Sequence, residues 1–420
     1  MEFSTCPICN HTIQSHELQR HANEHFADDD YARDFEFAQE IAIISPNPPQ
    51  ITEDYFKCSP TSDNPESSSS RCESKLTASG GSNDEEKYAS LVRLQKKETF
   101  YRVEGSLMTM LRKCLESKSG NSTSILSGHV DHFQSTESWD LGWGCGWRNI
   151  QMLSSHLLMQ RQEAREILYG GSGFVPDIGS LQRWLELAWE KGFDIPGADE
   201  FDQKIYGKKN WIGTTECAAL LRSFGLRARI VDFCSKDSES GYIDENVGKR
   251  NITQVHGPMD VFLSKGKLDL SYKISSGHES YKHSNVSSEN VKGHHVLTEW
   301  VWNYFSGNNV SKSGDRRVTL SGKAPLYFQH DGHSRTIVGI QAKRQKNGMQ
   351  QYNLLVFDPS GQTTALEKSL RANAGWQKLI KRGAHTLKKP QYQLCFIEPG
   401  IACGEELEEL KTIHPIRQEF

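Results

Sequence analysis

The chain has 420 residues, enough for two or three domains on a prior of roughly 150 residues each. Lys and Arg number 49 against 53 Asp and Glu, a formal net charge of −4, which excludes a strongly basic nucleic-acid binder as the starting expectation. No apolar run approaches the roughly 18 residues of a membrane-spanning helix, and the polar start MEFSTCPICN does not read as an export signal. The expectation is a soluble protein of the nucleus and cytoplasm whose ten cysteines are thiols, metal ligands or catalysts rather than disulfides.

Residues 1–27 form a Cys/His-rich head. Cys6 and Cys9 make C-x2-C, and His21 and His25 make H-x3-H, with 11 residues between the two pairs. A knuckle turn lets two thiolates chelate, and imidazoles at i and i+4 share one helical face, which together complete a tetrahedral N2S2 shell for structural Zn2+. Phe3, Ile8, Ile13, Leu18 and Phe26 are too few to make a core, so metal must supply much of the folding free energy. His11 and His16 are read as bystanders. The helical segment carries Glu17 and Glu24 and runs into Asp28, Asp29 and Asp30, an acidic face that repels phosphate.

Residues 28–45 read as an acidic helix stopped by Pro46, Pro48 and Pro49. Residues 46–84 are rich in Ser and poor in large apolar side chains, the composition of a disordered linker. In residues 85–117, Tyr88, Leu91, Val92 and Gln95, then Leu107, Met108, Leu111 and Leu115, predict one or two amphipathic helices, a helical arm. From 118 to 400 the pattern mixes helices, such as Leu181 to Lys191, with strand-like runs at Ala228 to Phe233, Leu326 to Gln329, Thr336 to Gln341 and Leu354 to Phe357. The fold class is α+β, with a polar surface insertion at about 236–291 and a C-terminal tail at 401–420.

The richest stretch is Gly142-Trp143-Gly144-Cys145-Gly146-Trp147-Arg148-Asn149, which precedes the helical pattern Ile150, Leu153, Leu157 and Leu158. A helix starting at Cys145 would stabilise its thiolate through free N–H groups and the macrodipole, and flanking glycines would let a substrate backbone approach. Cys145 is therefore the candidate nucleophile; Cys114, Cys217, Cys234 and Cys395 sit in ordinary apolar patterns and are read as core. A nucleophilic Cys needs a His base with an orienting group. The polar loop Lys343 to Gly348 predicts a hairpin, and symmetric pairing of residues whose numbers sum to about 692 sets His333 beside Asp358. His330, His294 and His295 compete less well. Gln329, four residues before His333, is the candidate donor to an oxyanion, with a strand-end surface amide as the plainer alternative.

Four stretches, G-W-G-C-G-W-R-N at 142–149, W-I-G-T-T-E at 211–216, Q-H-D-G-H-S-R-T-I-V-G-I at 329–340 and L-L-V-F-D-P at 354–359, resemble the papain-like cysteine proteases specific for the ubiquitin-fold modifier, most closely the branch fused to N-terminal zinc fingers. In the modifier proteases proper the acid and the His share an Asp-Pro-His motif, whereas here Asp358-Pro359 is followed by Ser360. The His coming from the preceding strand is similar to the zinc-finger branch, whose members cleave polyubiquitin with a preference for lysine-63 linkages. The resemblance thus implies a deubiquitinase with a Cys145-His333-Asp358 triad, with a protease of the ubiquitin-fold modifier as the runner-up and a catalytically silent ubiquitin-binding scaffold as a reading from another class. It also implies contacts to the ubiquitin tail from Asp194, Glu216 and Trp211, with a surface carboxylate or helix-cap neighbour as the alternative for the two acids, and a grip on ubiquitin by the helical arm, with a helix packed on the catalytic core as the plainer alternative. The head resembles ubiquitin-binding zinc fingers of DNA-repair proteins, and Phe35, Ala38 and Ala42 resemble a ubiquitin-interacting motif, with a plain amphipathic helix as the alternative. The implied partners are ubiquitin, polyubiquitin chains and ubiquitinated repair proteins, with no membrane and no direct nucleic-acid ligand.

Overall fold

A single long strand organises the catalytic-sized part of the chain. In the computed structural model, which describes residues 3–5, 12–14, 81–117, 121–137, 139–234, 290–307, 317–330, 332–345, 348–383, 386–387, 389 and 391–419, that strand is β7 (His333–Arg344). Its sequence H-S-R-T-I-V-G-I-Q-A-K-R is β-branched and apolar through the middle and charged at its far end, which suits a central strand that emerges into solvent. On one edge it pairs antiparallel first with β6 (Leu326–His330) and then with β3 (Ser122–Leu126); on the other it pairs with β8 (Gln350–Phe357).

Among the described residues the sheet has nine strands. Beyond β6 lie β10 (Gln391–Ile401), β4 (Leu226–Cys234) and the parallel edge strand β11 (Ile416–Glu419); β5 (Val318–Leu320) flanks β3, and β9 (Lys381–Gly383) flanks β8. One face packs on α3 (Cys145–Gln160), α5 (Ile178–Glu190), α7 (Thr214–Arg222) and α9 (Thr363–Arg371), where Trp147, Trp184 and Trp376 are among the largest wholly buried side chains. The other face is covered by α8 (Asn290–Ser306) through Leu297, Val301 and Phe305. Burying each such aliphatic or aromatic side chain contributes roughly 1.5–3 kcal/mol. The result is a mixed α/β three-layer arrangement.

Two expectations about organisation, the end of the linker and the tail, are revised, and the helical stretch is resolved in detail. The stretch 85–117 is two helices, α1 (Gly81–Leu94) and α2 (Leu107–Glu116), joined by an extended segment that makes an isolated bridge from Lys97 to Pro176. Both pack on the body: Tyr88 stands edge-on to Trp184, and Leu107, Leu111 and Leu115 of α2 are buried, because their apolar faces have a partner at hand. The linker therefore ends before Gly81 rather than at 84. Residues 401–420 are not a tail: α11 (Glu405–Glu409) leads into β11, which extends the sheet along β4 with Val231 opposite Ile416. The short helices α4 (Gln162–Ile167), α6 (Ile195–Glu200) and α10 (Trp376–Ile380) complete the described residues. Near the N-terminus β1 (Phe3–Thr5) and β2 (Thr12–Gln14) pair antiparallel on either side of the segment that carries Cys6 and Cys9. Those two cysteines, His21, His25, the 28–45 helix, residues 46–80 of the linker and most of the 236–291 insertion lie outside the described residues.

Candidate active site

The helix α3 starts at Cys145 itself, and the glycines around it are there for packing. A Cβ on Gly146 would meet Ile212 Cγ1 at 2.6 Å, the Ile212 carbonyl at 2.7 Å and Tyr327 Oη at 2.9 Å; a Cβ on Gly144 would collide with the Asp140 carboxylate. The protein's own atoms fill both spaces, which corrects the expectation that these glycines admit a substrate backbone. Only Gly142 needs glycine for its backbone, at φ 100°.

The rest of the motif holds the turn before Cys145. Asp140 takes Arg148 Nε and Nη2 on its two oxygens at 2.9 Å each, and Arg148 Nη1 reaches Glu98 Oε2 at 2.9 Å. All three are buried and each charge has its counter-charge, Asp140 through a bidentate fork and Glu98 through Nη1 alone. Asn149 donates from Nδ2 to the Cys145 carbonyl at 2.7 Å and to Ser334 Oγ at 2.9 Å, while its Oδ1 accepts from Thr336 Oγ1 at 2.7 Å. The start of α3 is thereby fastened to the end of β7 that carries His333.

His333 Nε2 donates to Asp358 Oδ1 at 2.8 Å, and the Cys145 thiol is hydrogen-bonded to the same imidazole. With Nε2 committed to the carboxylate, Nδ1 is the nitrogen that faces sulfur. The ladder that brings this about differs from the one expected. Ile340 lies opposite Leu354 rather than 352, and the register shifts by one residue between Ile337 and Gly339, so Thr336 faces Phe357. Past that shift the pairing runs on to set position 335 opposite 358, so His333, two residues from 335, shares the face of Asp358, and a side chain on the first residue of β7 reaches the Asp just past the end of β8.

The segment between β3 and α3 wraps the Asp358 turn. Ser135 N donates to the Pro359 carbonyl at 2.7 Å, and His132 Nε2 donates to the Asp358 carbonyl at 2.9 Å with its Nδ1 accepting from Thr363 Oγ1 at 2.8 Å. Burial holds His132 below the ordinary histidine range, in keeping with a neutral ring. Ser360, where an Asp-Pro-His motif would place its His, donates to Asp358 Oδ1 from Oγ at 2.8 Å and from N at 3.1 Å.

Electrostatics favour an ion pair. Burial by itself pushes the Cys145 thiol up, but the His333 hydrogen bond and charge, with hydrogen bonds from Ser334, outweigh it and hold the thiol below its usual value. Burial pushes His333 down and Arg335 adds to that, yet the adjacent Asp358 carboxylate raises it on balance. Asp358 would also be raised by burial, but Arg335 and His333 keep it well below the carboxylate range. A thiol lowered and an imidazole raised at one contact is the arrangement that makes a nucleophilic thiolate with a proton donor beside it.

The remaining expected residues sit differently. Gln329 is wholly buried on β6 and donates its amide to the carbonyls of His330 at 2.9 Å and His333 at 3.3 Å, so it braces the turn into β7; its Oε1 has no partner. The surface-amide alternative is excluded by that burial, and the oxyanion role would need the amide to leave these carbonyls. Glu216 is buried as the third residue of α7 and closes its own cap, accepting from Gly213 N at 2.6 Å and Thr215 Oγ1 at 2.9 Å. Of its two expected places the structure shows the helix-cap one: its carboxylate shapes the Trp211-Ile212-Gly213 turn that lies against Gly146. Trp211 is likewise mostly buried, its indole N–H donating to the Gly142 carbonyl. Asp194 adopts the left-handed region at φ 54° and is buried beside Glu216; burial first, then the Glu216 charge, pushes it up to about 7, and its Oδ2 has no hydrogen-bond partner. His330 lies edge-on to His333 with ring centroids 5.9 Å apart and contacts Arg335 rather than the thiol. His295 is exposed and 3.3 Å from Glu299, one helical turn on; the side chain of His294 is outside the described residues. Sequence reasoning missed Asp140, His132 and Arg335. Only Asp140, two residues before the glycine motif and eight before Arg148, carried a local signal.

Among the described residues no cluster of three or more His, Cys, Asp or Glu could hold a metal, and no helix is long and apolar enough to cross a membrane. In comparisons with known proteins, the profile of peptidase family C78 matches residues 119–254 and 264–395. The chain is 33% identical over 283 residues to the zinc finger-containing ubiquitin peptidase 1 of Rattus norvegicus, a match covering 67% of this chain and 38% of that protein. It is 34% identical over 305 residues to the ubiquitin carboxyl-terminal hydrolase mug105 of Schizosaccharomyces pombe, covering 73% of this chain and 95% of that protein. It is also 34% identical over 103 residues to the Ufm1-specific protease 1 of Mus musculus, covering 24% of this chain and 38% of that protein. The chain thus matches well under half the length of the zinc finger-containing relative.

Proposed function

We propose, from the premise that this chain belongs to peptidase family C78, that it is a papain-like deubiquitinating thiol isopeptidase that cuts after the C-terminal glycine of ubiquitin. The observation that carries the reading is the buried Cys145 thiol hydrogen-bonded to His333, whose Nε2 is 2.8 Å from Asp358. In this mechanism the Cys145 thiolate attacks the carbonyl carbon of the terminal glycine. The oxyanion is met at the N-terminus of α3, where the first N–H groups of a helix have no partner within it, and by the Gln329 amide once it turns from the His333 carbonyl. His333 gives its Nδ1 proton to the departing lysine amine, leaving a thioester on Cys145. Water, deprotonated by His333, then attacks that thioester and restores the thiol, while Asp358 holds the ring by Nε2 throughout.

Ubiquitin is favoured as the substrate because relatives matched over two thirds of this chain are named as ubiquitin peptidases, and because Ser360 stands where the modifier proteases carry His. Asp194, buried with an unpartnered oxygen, is the carboxylate on which an arginine of the ubiquitin tail would find an uncompensated acceptor. We also assign lysine-63-linked chains as the preferred polymer and one structural Zn2+ on Cys6, Cys9, His21 and His25, a donor set of two thiolates and two imidazoles that fits tetrahedral zinc.

Cleavage of the ubiquitin-fold modifier is the second reading, favoured by the match to a Ufm1-specific protease. Full-length protein and Cys145→Ala are to be incubated with two electrophilic probes, one ending in the ubiquitin C-terminus and one in that of the modifier. A covalent mass shift with the ubiquitin probe, absent from the variant, is expected. A shift with the modifier probe alone replaces the first reading by the second, and no shift with either leaves a non-catalytic binding protein.

A further inference from the structure

Asp358 is gripped by more than the histidine it orients. Arg335, two residues after His333 and therefore on the same face of β7, donates from Nε to Asp358 Oδ2 at 2.5 Å. Its Nη1 is in hydrogen-bond contact with His330 Nε2, so one planar guanidinium spans the carboxylate and a second ring on the neighbouring strand. The other carboxylate oxygen is shared by His333 Nε2 and by Ser360 N and Oγ. A carboxylate free on one side rotates about its terminal bond with a low barrier; one bound on both oxygens does not.

We infer that Arg335 is a positioning residue of the triad: by occupying Asp358 Oδ2 it locks the carboxylate so that Oδ1 is the oxygen offered to His333. The inference rests on the triad reading above. It assigns Arg335 no contact with substrate.

The groups around this contact set the direction of the effect. Asp358 is faced by Arg335 and His333 from β7 and by Arg382 from β9, with His132 on its carbonyl; Arg335 is faced by His330 from β6 and Tyr392 from β10. Removing Arg335 lifts a repelling charge from His333, which by itself favours the imidazolium, but it also lets the carboxylate swing off Nε2, and Asp358 is the larger influence on that ring. The loss of the carboxylate prevails and disfavours the imidazolium and its thiolate, so the acid limb of Cys145 reactivity moves to higher pH.

The test follows the rate of Cys145 carbamidomethylation by iodoacetamide between pH 4 and 9 in the full 420-residue chain, read by mass spectrometry of the Cys145 peptide. Arg335→Gln is expected to move the acid limb up by about one pH unit, a roughly tenfold slower reaction at any pH on that limb, with Arg335→Lys in between. In an Asp358→Asn background, where there is no carboxylate to lock, the same substitution is expected to change the rate less than about twofold. A wild-type profile in Arg335→Gln, or an equal loss in both backgrounds, overturns the inference; should Arg335→Gln not fold, Arg335→Lys is judged by the same comparison. A wild-type Cys145 no more reactive at pH 6 than a free thiol overturns the triad reading instead, whatever the variants do.

Discussion

Asp194→Asn is expected to stabilise the fold while weakening the action on ubiquitin. Burial beside Glu216 raises the Asp194 carboxyl to about 7 from an ordinary 3.8. A carboxyl whose folded pKa lies above its unfolded one binds its proton more tightly when folded, so stability falls as pH rises from about 4 to about 7 and the full cost is present above that. At 1.36 kcal/mol per unit the penalty is about 1.6 kcal/mol at pH 5 and about 4 kcal/mol at pH 8. Asn keeps an oxygen toward the Gly197 N–H, the backbone group that eases the Asp194 charge, and never ionises. Its new N–H2 adds a desolvation cost that does not depend on pH, so the slope with pH carries the test. Thermal unfolding of wild type and Asp194→Asn at pH 5 and pH 8 should show the difference in Tm, variant minus wild type, growing by ~5 °C, at about 2 °C or more per kcal/mol for a protein of this size. If Asp194 receives an arginine of the ubiquitin tail, KM for a ubiquitin substrate rises in the variant while alkylation of Cys145 by a small electrophile is unchanged. A Tm difference that is constant or shrinks with pH refutes the buried-carboxyl argument.

Gly146→Ala forces a Cβ against the Ile212 carbonyl and Tyr327 Oη, which cannot both retreat; it should cost about 1–3 kcal/mol and slow Cys145 acylation more than tenfold, and a wild-type Tm and rate would count against the close packing of the 211–213 turn. Arg148→Met strands Asp140 and Glu98 as buried unpaired charges, a loss of about 3–5 kcal/mol; a denaturation midpoint within 1 kcal/mol of wild type would contradict the network. Elemental analysis of the purified chain should find one zinc per molecule, lost in Cys6→Ser, with iodoacetamide labelling of Cys145 unaffected; a zinc-free wild type would remove the metal assignment.

Much of the chemistry was legible in the chain because it is written in local order. A helix announced by Ile150, Leu153 and Leu157 begins at Cys145 in the structure, since periodicity and a glycine turn are properties of neighbouring residues. The hairpin of β7 and β8 was also readable from its polar loop and set His333 near Asp358, but the pairing is shifted by two residues at the loop end, and it is the one-residue bulge at its middle that brings the two side chains onto one face. Other features required distant segments. The glycines beside Cys145 look like room for a substrate until Ile212, Tyr327 and Asp140 arrive from elsewhere to fill that room. Glu216 reads equally as a recognition residue or a helix cap, and Trp211 as a recognition residue, until the packing of α7 turns both inward, and residues 401–420 look like a tail until β11 finds the open edge of β4. His132 and Arg335, 203 positions apart, converge on Asp358 without any sign in their own neighbours. Side-chain chemistry and local periodicity travel with the chain, so the residues able to act as nucleophile, base and acid could be picked out along it. Which carboxylates are buried, which donors are spent and what holds the acid in place came from the fold, because burial and hydrogen-bond partners exist only once distant segments are packed together.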